Sequence, residues 1–215
     1  MKVKVKICGI TRNEDLVTAI EAGADAVGFV VNVHSSPRNI TIENAEKLMK
    51  NTSVFVKNVV VNVPKRLSEL VETYERLRPD VLQIHGHNLS DSVIREKLAN
   101  TRLIRGIQVK SDYAVDEAVK AANTFDAVLV DSFVLGKFGG TGKVHDWELS
   151  KRVKEKVHPK PLILAGGLNP ENVQDAVHVV KPYAVDVSSG VEIKPGIKDS
   201  KKVFEFIENA KEVEV

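Results

Sequence analysis

Lys4-Val5-Lys6-Ile7-Cys8-Gly9-Ile10-Thr11-Arg12 is a short stretch near the amino terminus that contains the only cysteine of the chain. Charged and apolar residues alternate before Cys8, a pattern typical of a strand. Gly9 follows directly, so the backbone can turn there and leave the thiol at the rim of a sheet. No Gly-x-Gly-x-x-Gly follows this strand, which disfavours an open doubly wound sheet of the dinucleotide-binding type.

Short β-branched runs alternate with segments of helical period along the whole chain. Most of the runs are continuously apolar, as expected of parallel strands that are buried on both faces. Strands are predicted over Val3–Ile7, Ala26–Val31, Val54–Val61, Val81–Ile84, Leu103–Ile107, Ala127–Val130, Leu162–Ala165 and Ala184–Val187. Eight strand–helix units in 215 residues average about 27 residues each, near the minimum for such a repeat.

Eight is also the number of parallel strands that closes a barrel. The sequence therefore predicts the α/β class and a single (β/α)8 TIM barrel domain over residues 1–215. An open doubly wound sheet is the alternative fold.

The overall charge excludes some classes of partner. With 31 basic and 29 acidic residues the net charge is +2, so no broad electrostatic field attracts nucleic acid or an anionic membrane. The single cysteine rules out an internal disulfide and fits a reducing compartment. The amino terminus lacks the apolar segment of a secretory signal, and no apolar run approaches the ~18 residues that span a bilayer. We expect a cytoplasmic protein whose partner is a small molecule.

The active site of such a barrel lies at the carboxyl ends of its strands. Cys8 follows the first predicted strand and Asp131 follows the sixth. A thiol with an ordinary pKa of about 8.5 needs only a modest shift to supply a thiolate base. Asp131 is expected beside apolar walls, where burial would raise the pKa of its carboxyl group and let it donate a proton; a carboxylate that caps the following turn is the alternative. Together they form an acid–base pair without a metal.

Two glycine-containing loops follow the seventh and eighth predicted strands, where barrels commonly bind phosphate. They contain Gly166-Gly167 and Ser188-Ser189-Gly190. Their backbone N–H groups can approach an oxyanion, and a short helix that starts at Ser189 would point its amino terminus there. Ordinary tight turns are the alternative interpretation. The loop Gly136–Lys143 after the sixth strand is interpreted as a lid, with a purely structural loop as the alternative.

Other polar residues also follow predicted strands. Arg38 lies after the second strand, and a guanidinium there suits a planar carboxylate by bidentate pairing. His85-Gly86-His87 follows the fourth strand. Two imidazoles need a further ligand to hold a metal, which Asp131 or Asp186 would have to supply. A histidine that forms a hydrogen-bonding wall is the commoner case.

Taken together, these motifs closely resemble the phosphoribosylanthranilate isomerase family of tryptophan biosynthesis. The resemblance runs in order from Lys4 to about Asp199. Its motifs are Lys6-Ile7-Cys8-Gly9-Ile10-Thr11, Ser36-Pro37-Arg38, Gln83-Ile84-His85-Gly86, Val130-Asp131-Ser132, Gly139-Gly140-Thr141-Gly142 with Asp146-Trp147, Leu164-Ala165-Gly166-Gly167-Leu168 and Asp186-Val187-Ser188-Ser189-Gly190-Val191-Glu192.

The resemblance implies an Amadori rearrangement of N-(5-phosphoribosyl)anthranilate, an aldose–ketose isomerisation that needs no cofactor and no metal. It implies that Asp131 is the general acid, that Cys8 is the general base and that Arg38 pairs with the anthranilate carboxylate. Phosphate is expected at Gly166, Gly167, Ser189 and Gly190. We also expect Gln83, His85 and Asp186 to bind the phosphorylated substrate.

Two other functions remain open at this point. A metal-assisted pentose-phosphate epimerase or isomerase would use His85, His87, Asp131 and Asp186. A non-catalytic barrel that binds a phosphorylated ligand would keep the fold without turnover. The sequence leaves the oligomeric state open between a monomer and a homodimer.

Overall fold

A closed barrel of eight parallel strands forms the centre of the computed structural model, which describes residues 2–109, 111–132 and 147–214. The strands are β1 (Lys4–Cys8), β2 (Ala26–Val31), β3 (Asn39–Ile40), β4 (Lys57–Asn62), β5 (Val81–Ile84), β6 (Arg102–Val109), β7 (Ala127–Ser132), β8 (Leu162–Ala165), β9 (Ala184–Val187), β10 (Glu192–Lys194) and β11 (Ile197–Lys198). Neighbours follow the order β1-β9-β8-β7-β6-β5-β4-β2, and β1 pairs with β2 to close the barrel. The short β3 extends β2, and β10 pairs with β11 in an antiparallel hairpin.

Helices follow the barrel strands and surround them. They are α1 (Asn13–Glu21), α2 (Ile42–Lys50), α3 (Leu67–Leu77), α4 (Asp91–Lys97), α5 (Tyr113–Ala122), α6 (Trp147–Val157), α7 (Val173–Val180) and α8 (Ser200–Glu212), with a 3-10 helix over Ser189–Val191. Within the described part of the chain, no helix has both the length and the apolar character needed to span a bilayer.

Successive strand residues point to opposite faces of the sheet, which divides the apolar residues into two sets. Residues such as Ile7 and Val128 pack with the helices in the main core. Ile104, Leu129 and Ile163 belong to a separate small cluster inside the barrel. Cys8 belongs to a third cluster, with Val30 and Val61. The third cluster lies nearer the carboxyl ends of the strands, so the predicted base Cys8 lies inside that end of the barrel.

The predicted TIM barrel is confirmed, and the strands β2, β5, β8 and β9 have the predicted bounds. The start of the third predicted strand, at Val54, is wrong, because β4 begins at Lys57. Val54 and Phe55 lie in a turn and are 88% and 92% exposed. Their β-branched and aromatic character resembles a strand, but the chain has not yet entered the sheet. That residues 1–215 form one domain stays a prediction.

Candidate active site

Cys8 is the last residue of β1 and is buried. Gly9 has a φ of +76°, the left-handed conformation that glycine adopts without strain, and its N–H and that of Ile10 both donate to the carbonyl of Gly28 at 2.9 Å. Gly28 also leaves room for the thiol, because a Cβ there would lie 2.7 Å from Sγ of Cys8. Burial raises the pKa of the Cys8 thiol, which is opposite to the shift that a thiolate base needs, and the nearby positive charge of Lys6 opposes that rise.

Lys6 lies two residues before Cys8, on the same face of β1, and it is 4% exposed. Its ammonium donates to Oε1 of Gln83 at 2.8 Å and to Oδ2 of Asp186 at 2.9 Å. These partners come from β5 and β9, so Lys6 connects distant strands across the inside of the barrel. The other carboxylate oxygen of Asp186, Oδ1, is buried and has no hydrogen-bond partner among the described residues.

His85 is neutral and is held in one tautomer. Because Oε1 of Gln83 accepts from Lys6, its amide Nε2 donates to Nε2 of His85, 2.7 Å away. The imidazole therefore carries its hydrogen on Nδ1. Burial lowers the pKa of His85 to about 4, and the charges of Lys6 and Arg105 add to the effect. The ring lies over Gly106, where a Cβ would come within 2.3 Å of Cε1.

Asp131 lies near the end of β7, in register with Gln108 of β6 and Ala165 of β8. Burial raises the pKa of its carboxyl group to about 6, and the negative charge of Asp186 adds to the rise while Lys6 opposes it. A carboxyl group with this pKa is partly protonated near neutral pH and is suited to donating a proton.

One set of charges influences both predicted reacting groups. Lys6 and Asp186 act on the pKa of Cys8 and on that of Asp131. Lys6 and Asp186 are hydrogen-bonded to each other, and a charge shifts the pKa of a buried group when it lies nearby. The structure therefore gathers Cys8, Asp131 and Asp186 in one cluster with Lys6.

Arg38 reaches the same end of the barrel, where its side chain crosses Gly9: a Cβ at Gly9 would lie 2.6 Å from Cδ of Arg38. Its Nε and Nη2 donate to the two carboxylate oxygens of Glu192 at 2.8 and 2.5 Å. Lys198 donates to Glu192 Oε1 at 2.9 Å and to the carbonyl of Ser188 at 3.1 Å. Although burial opposes it, Arg38 and Lys198 lower the pKa of Glu192.

The two glycine loops lie against one another. Gly166 and Gly167 both have positive φ, +85° and +68°. A Cβ at Gly190 would lie 1.9 Å from the carbonyl oxygen of Leu168, so only glycine permits this approach. The predicted helix at Ser189 is present as a 3-10 helix. The first N–H groups of a helix have no partner within it. The two loops thus lie side by side at the carboxyl ends of β8 and β9.

His87 lies apart from this cluster. The His87 side chain is 70% exposed and approaches Glu117 at 3.4 Å. Among the described residues, no three or more His, Cys, Asp or Glu side chains are arranged to hold a metal. The described residues thus offer no donor set for the metal-assisted alternative. The loop Gly136–Lys143 lies outside the described residues.

Comparison with known proteins identifies the family. The model of the family described as N-(5'-phosphoribosyl)anthranilate (PRA) isomerase matches residues 5–209. The chain belongs to this family.

Relatives of known sequence and structure agree with the family model. The chain is 45% identical over 204 residues to the N-(5'-phosphoribosyl)anthranilate isomerase of Methanothrix thermoacetophila, with 95% of this chain and 96% of that protein covered. It is similar to a crystal structure described as monomers generated from the dimeric enzyme of Thermotoga maritima, with a TM-score of 0.85, 34% identity and coverage of 98% and 100%.

A third relative carries a ligand. This phosphoribosylanthranilate isomerase was crystallised with reduced 1-(o-carboxyphenylamino)-1-deoxyribulose 5-phosphate, and it matches with a TM-score of 0.85, 35% identity and coverage of 98% and 100%. The predicted family and the predicted function, an isomerase of tryptophan biosynthesis, are confirmed.

Three residues of this isomerase site have no role in our sequence analysis: Lys6, Glu192 and Lys198. The spacing of Lys6 from Cys8 was a usable signal, because residues two apart on a strand share a face. The contact between Lys198 and Glu192 has no such signal, since it depends on the hairpin of β10 and β11 folding back under Arg38.

Proposed function

We propose that this chain isomerises N-(5'-phosphoribosyl)anthranilate to 1-(2-carboxyphenylamino)-1-deoxyribulose 5-phosphate, with Asp131 as general acid and Cys8 as general base. The observation that carries this proposal is a carboxyl group whose pKa is raised to about 6 in one cluster with a buried thiol. The reaction transfers protons at two positions of one substrate, and it therefore requires an acid and a base whose environments differ.

The reaction is a redistribution of protons and electrons within the substrate. Asp131 donates a proton to the ribose ring oxygen, the bond from that oxygen to C1 breaks, and the nitrogen forms a Schiff base with C1. The Cys8 thiolate removes the proton from C2, and the electron pair moves through C1 to the nitrogen. The resulting enolamine gains a proton at C1 and loses one from the C2 hydroxyl, which leaves the ketone. The substrate's own nitrogen accepts the electrons, so no cofactor or metal takes part.

Arg38 is proposed to hold the anthranilate carboxylate. Its Nε and Nη2 bind Glu192, which leaves the edge formed by Nη1 and Nη2 for a second carboxylate. Glu192 thereby fixes the plane of the guanidinium, and Lys198 compensates the charge of Glu192.

The phosphate is proposed to bind at Gly166, Gly167, Ser189 and Gly190. Successive backbone donors in a concave loop suit an oxyanion. Lys198 donates to the carbonyl of Ser188, so the same side chain connects this loop to Glu192 beneath Arg38. The two anionic ends of the substrate would therefore be bound by connected parts of the structure.

Gln83, His85 and Asp186 are proposed to contact the sugar between these two ends. Asp186 Oδ1 is buried without a partner among the described residues, and such an oxygen is costly unless a ligand donates to it. A hydroxyl or amine of the substrate satisfies that requirement. Gln83 and His85 form the adjoining wall through their mutual hydrogen bond.

The assembly is proposed to be a monomer or a homodimer, which light scattering of the purified chain would distinguish. The relative from Thermotoga maritima is described as dimeric. The cytoplasmic location and the lack of affinity for nucleic acid stay predictions from the sequence.

The test is the loss of anthranilate fluorescence when freshly generated N-(5'-phosphoribosyl)anthranilate is added to the wild-type chain, with and without a chelator. The proposal expects turnover that the chelator does not change, and formation of the carboxyphenylamino ketose. Loss of turnover with chelator would favour the metal-assisted alternative instead. Saturable binding of the substrate without turnover would favour the non-catalytic alternative.

A further inference from the structure

We infer that Lys6 is a positioning residue for the proposed reaction: its buried ammonium holds Asp186 and Gln83 and places a positive charge beneath Cys8. The inference rests on the proposed roles of Cys8 and Asp186. It assigns a role to the side chain that connects these two residues.

The first argument is the burial of a full charge. Lys6 is 4% exposed, and a buried ammonium is tolerated only when it is paired and hydrogen-bonded. Asp186 supplies the opposite charge at 2.9 Å and Gln83 supplies a carbonyl at 2.8 Å. Burial alone would lower the pKa of Lys6, but the negative charges of Asp186 and Cys8 outweigh it and raise that pKa. Lys6 therefore remains charged inside the barrel.

The second argument is the space reserved for this side chain. A Cβ at Gly28 would lie 3.0 Å from Cε of Lys6 and 2.7 Å from Sγ of Cys8. The neighbouring strand β2 thus has no side chain at a position that would contact both groups. A residue at position 6 that served packing alone would not need a glycine opposite it, since an apolar side chain there would pack against an ordinary side chain at position 28.

The third argument is the contrast with Lys4, two residues earlier on the same face of β1. The Lys4 side chain is 53% exposed and pairs with Asp25. Lys6 instead binds one oxygen of Asp186 and leaves Oδ1 of that carboxylate without a partner among the described residues. Lys6 therefore orients a carboxylate so that its second oxygen can meet the substrate, whereas Lys4 completes a surface ion pair.

The charges that act on Cys8 come from four side chains. Lys6 lies on its own strand, Asp186 on β9, Lys198 on β11, and Arg38 in the loop after β2. Burial has the largest effect on the pKa of Cys8 and raises it; Lys6 and Lys198 oppose this effect, and Asp186 adds to it. Because Lys6 and Asp186 carry opposite charges, removing one should shift the pKa of the thiol in the opposite direction from removing the other.

The test measures the pH dependence of alkylation of Cys8 by iodoacetamide, which reports one thiol because the chain has a single cysteine. Lys6→Met is expected to move the alkylation midpoint upward, and Asp186→Asn is expected to move it downward. Lys6→Met/Asp186→Asn removes both buried charges and keeps the core neutral. Its midpoint is expected to stay above that of the wild type, because Lys6 affects the thiol more strongly than Asp186 does.

The matched control is Lys4→Met, which removes a lysine from the same face of the same strand and is expected to leave the midpoint unchanged. In the isomerase assay, Lys6→Met is expected to lower kcat/KM by roughly 100-fold, the size of effect that follows a misplaced reacting group. Lys4→Met should keep the wild-type value.

The alkylation readout also separates this inference from the proposed function. Unchanged midpoints in Lys6→Met and in the double variant would overturn the positioning role and leave Lys6 as a structural residue. If the two single variants shift the midpoint in opposite directions but the wild-type chain does not turn over the substrate, the placement of Lys6 is supported and the proposed reaction is overturned.

Discussion

The two ends of strand β7 carry aspartates with opposite properties. Asp126 precedes the strand and accepts hydrogen bonds from Nη2 of Arg95 and from the N–H of Leu103, both at 2.8 Å. Although burial opposes it, these bonds lower the pKa of Asp126. Asp131 lies five positions further along the chain, near the end of the strand, and burial raises its pKa to about 6. The carboxylate just before β7 is thus stabilised in its charged form, whereas the carboxyl group near the end of β7 is stabilised in its protonated form.

The arrangement of Asp126 recurs at the amino end of the barrel. Asp25 precedes β2 and binds Lys4 and the N–H of Val5, and Asp80 precedes β5 and binds Lys57 and the N–H of Asn58. Each carboxylate joins a neighbouring strand and a cation. At the carboxyl end, Asp186 keeps one oxygen without a partner among the described residues. The amino end satisfies its charges and stabilises the fold, whereas the carboxyl end leaves charges incompletely satisfied for a ligand.

The largest effect should come from removing the thiol at the carboxyl end. Cys8→Ser replaces the base with a hydroxyl that does not ionise near neutral pH. Since general acid–base catalysis contributes roughly 10²–10⁴-fold, kcat should fall by about that factor. Steady-state kinetics with the fluorescence assay measure it. A Cys8→Ser variant with the wild-type kcat would contradict the assignment of the chemistry to the carboxyl end of the barrel.

Next in size should be the loss of the buried carboxylate beneath Arg38. Glu192→Ala leaves Arg38 and Lys198 as uncompensated cations, and breaking a buried ion pair in this way costs about 3–5 kcal/mol of unfolding free energy. The control is Glu205→Ala, which breaks an exposed pair with Lys201 and should change stability by less than about 1 kcal/mol. Urea unfolding measures both. Equal losses in the two variants would contradict the account.

A smaller effect is expected from filling the gap between the two glycine loops. Gly190→Ala places a Cβ 1.9 Å from the carbonyl oxygen of Leu168, so the loop must move and its N–H groups lose their alignment. We expect KM to rise by roughly 10-fold, the equivalent of about 1.4 kcal/mol of binding, with kcat less affected. Inorganic phosphate should inhibit the variant more weakly than the wild type. An unchanged KM would place the phosphate elsewhere.

The smallest effects should be opposite pH dependences of stability. Asp126 has a lowered pKa, so the stability that it contributes is present above about pH 4, the unfolded value, and is lost as pH falls further. Asp131 has a raised pKa, so its contribution is complete below about pH 4 and is lost as pH rises to about 6. Relative to the wild type, Asp131→Asn should therefore gain unfolding free energy as pH rises through this window, which urea unfolding at several pH values measures. The same slope in both chains would contradict the shifted pKa.

Much of this organisation can be predicted from the sequence, because continuous apolar runs such as Leu162–Ala165 are needed wherever a parallel strand is buried on both faces. The positions of Cys8 and Asp131 also follow from the strand patterns, since Cys8 ends an alternating run and Asp131 follows the apolar run Ala127–Val130. The partners of these residues do not follow. Arg38 was expected to bind a carboxylate, but pairing with Glu192 requires a hairpin whose position only the folded chain defines. Val54 shows the opposite error, where strand-like residues lie in an exposed turn.

The most direct test of the account is to measure kcat and unfolding free energy together for Asp131→Asn and Asp126→Asn. We expect Asp131→Asn to lose roughly 10²–10⁴-fold in kcat and to be at least as stable as the wild type at neutral pH, where Asp131 is ionised in its buried site. We expect Asp126→Asn to keep the wild-type kcat and to lose about 1–3 kcal/mol, the cost of weakening a charge-assisted hydrogen bond. Wild-type kcat in Asp131→Asn, or a loss of kcat in folded Asp126→Asn, would contradict the assignment of chemistry to the carboxyl end of the barrel.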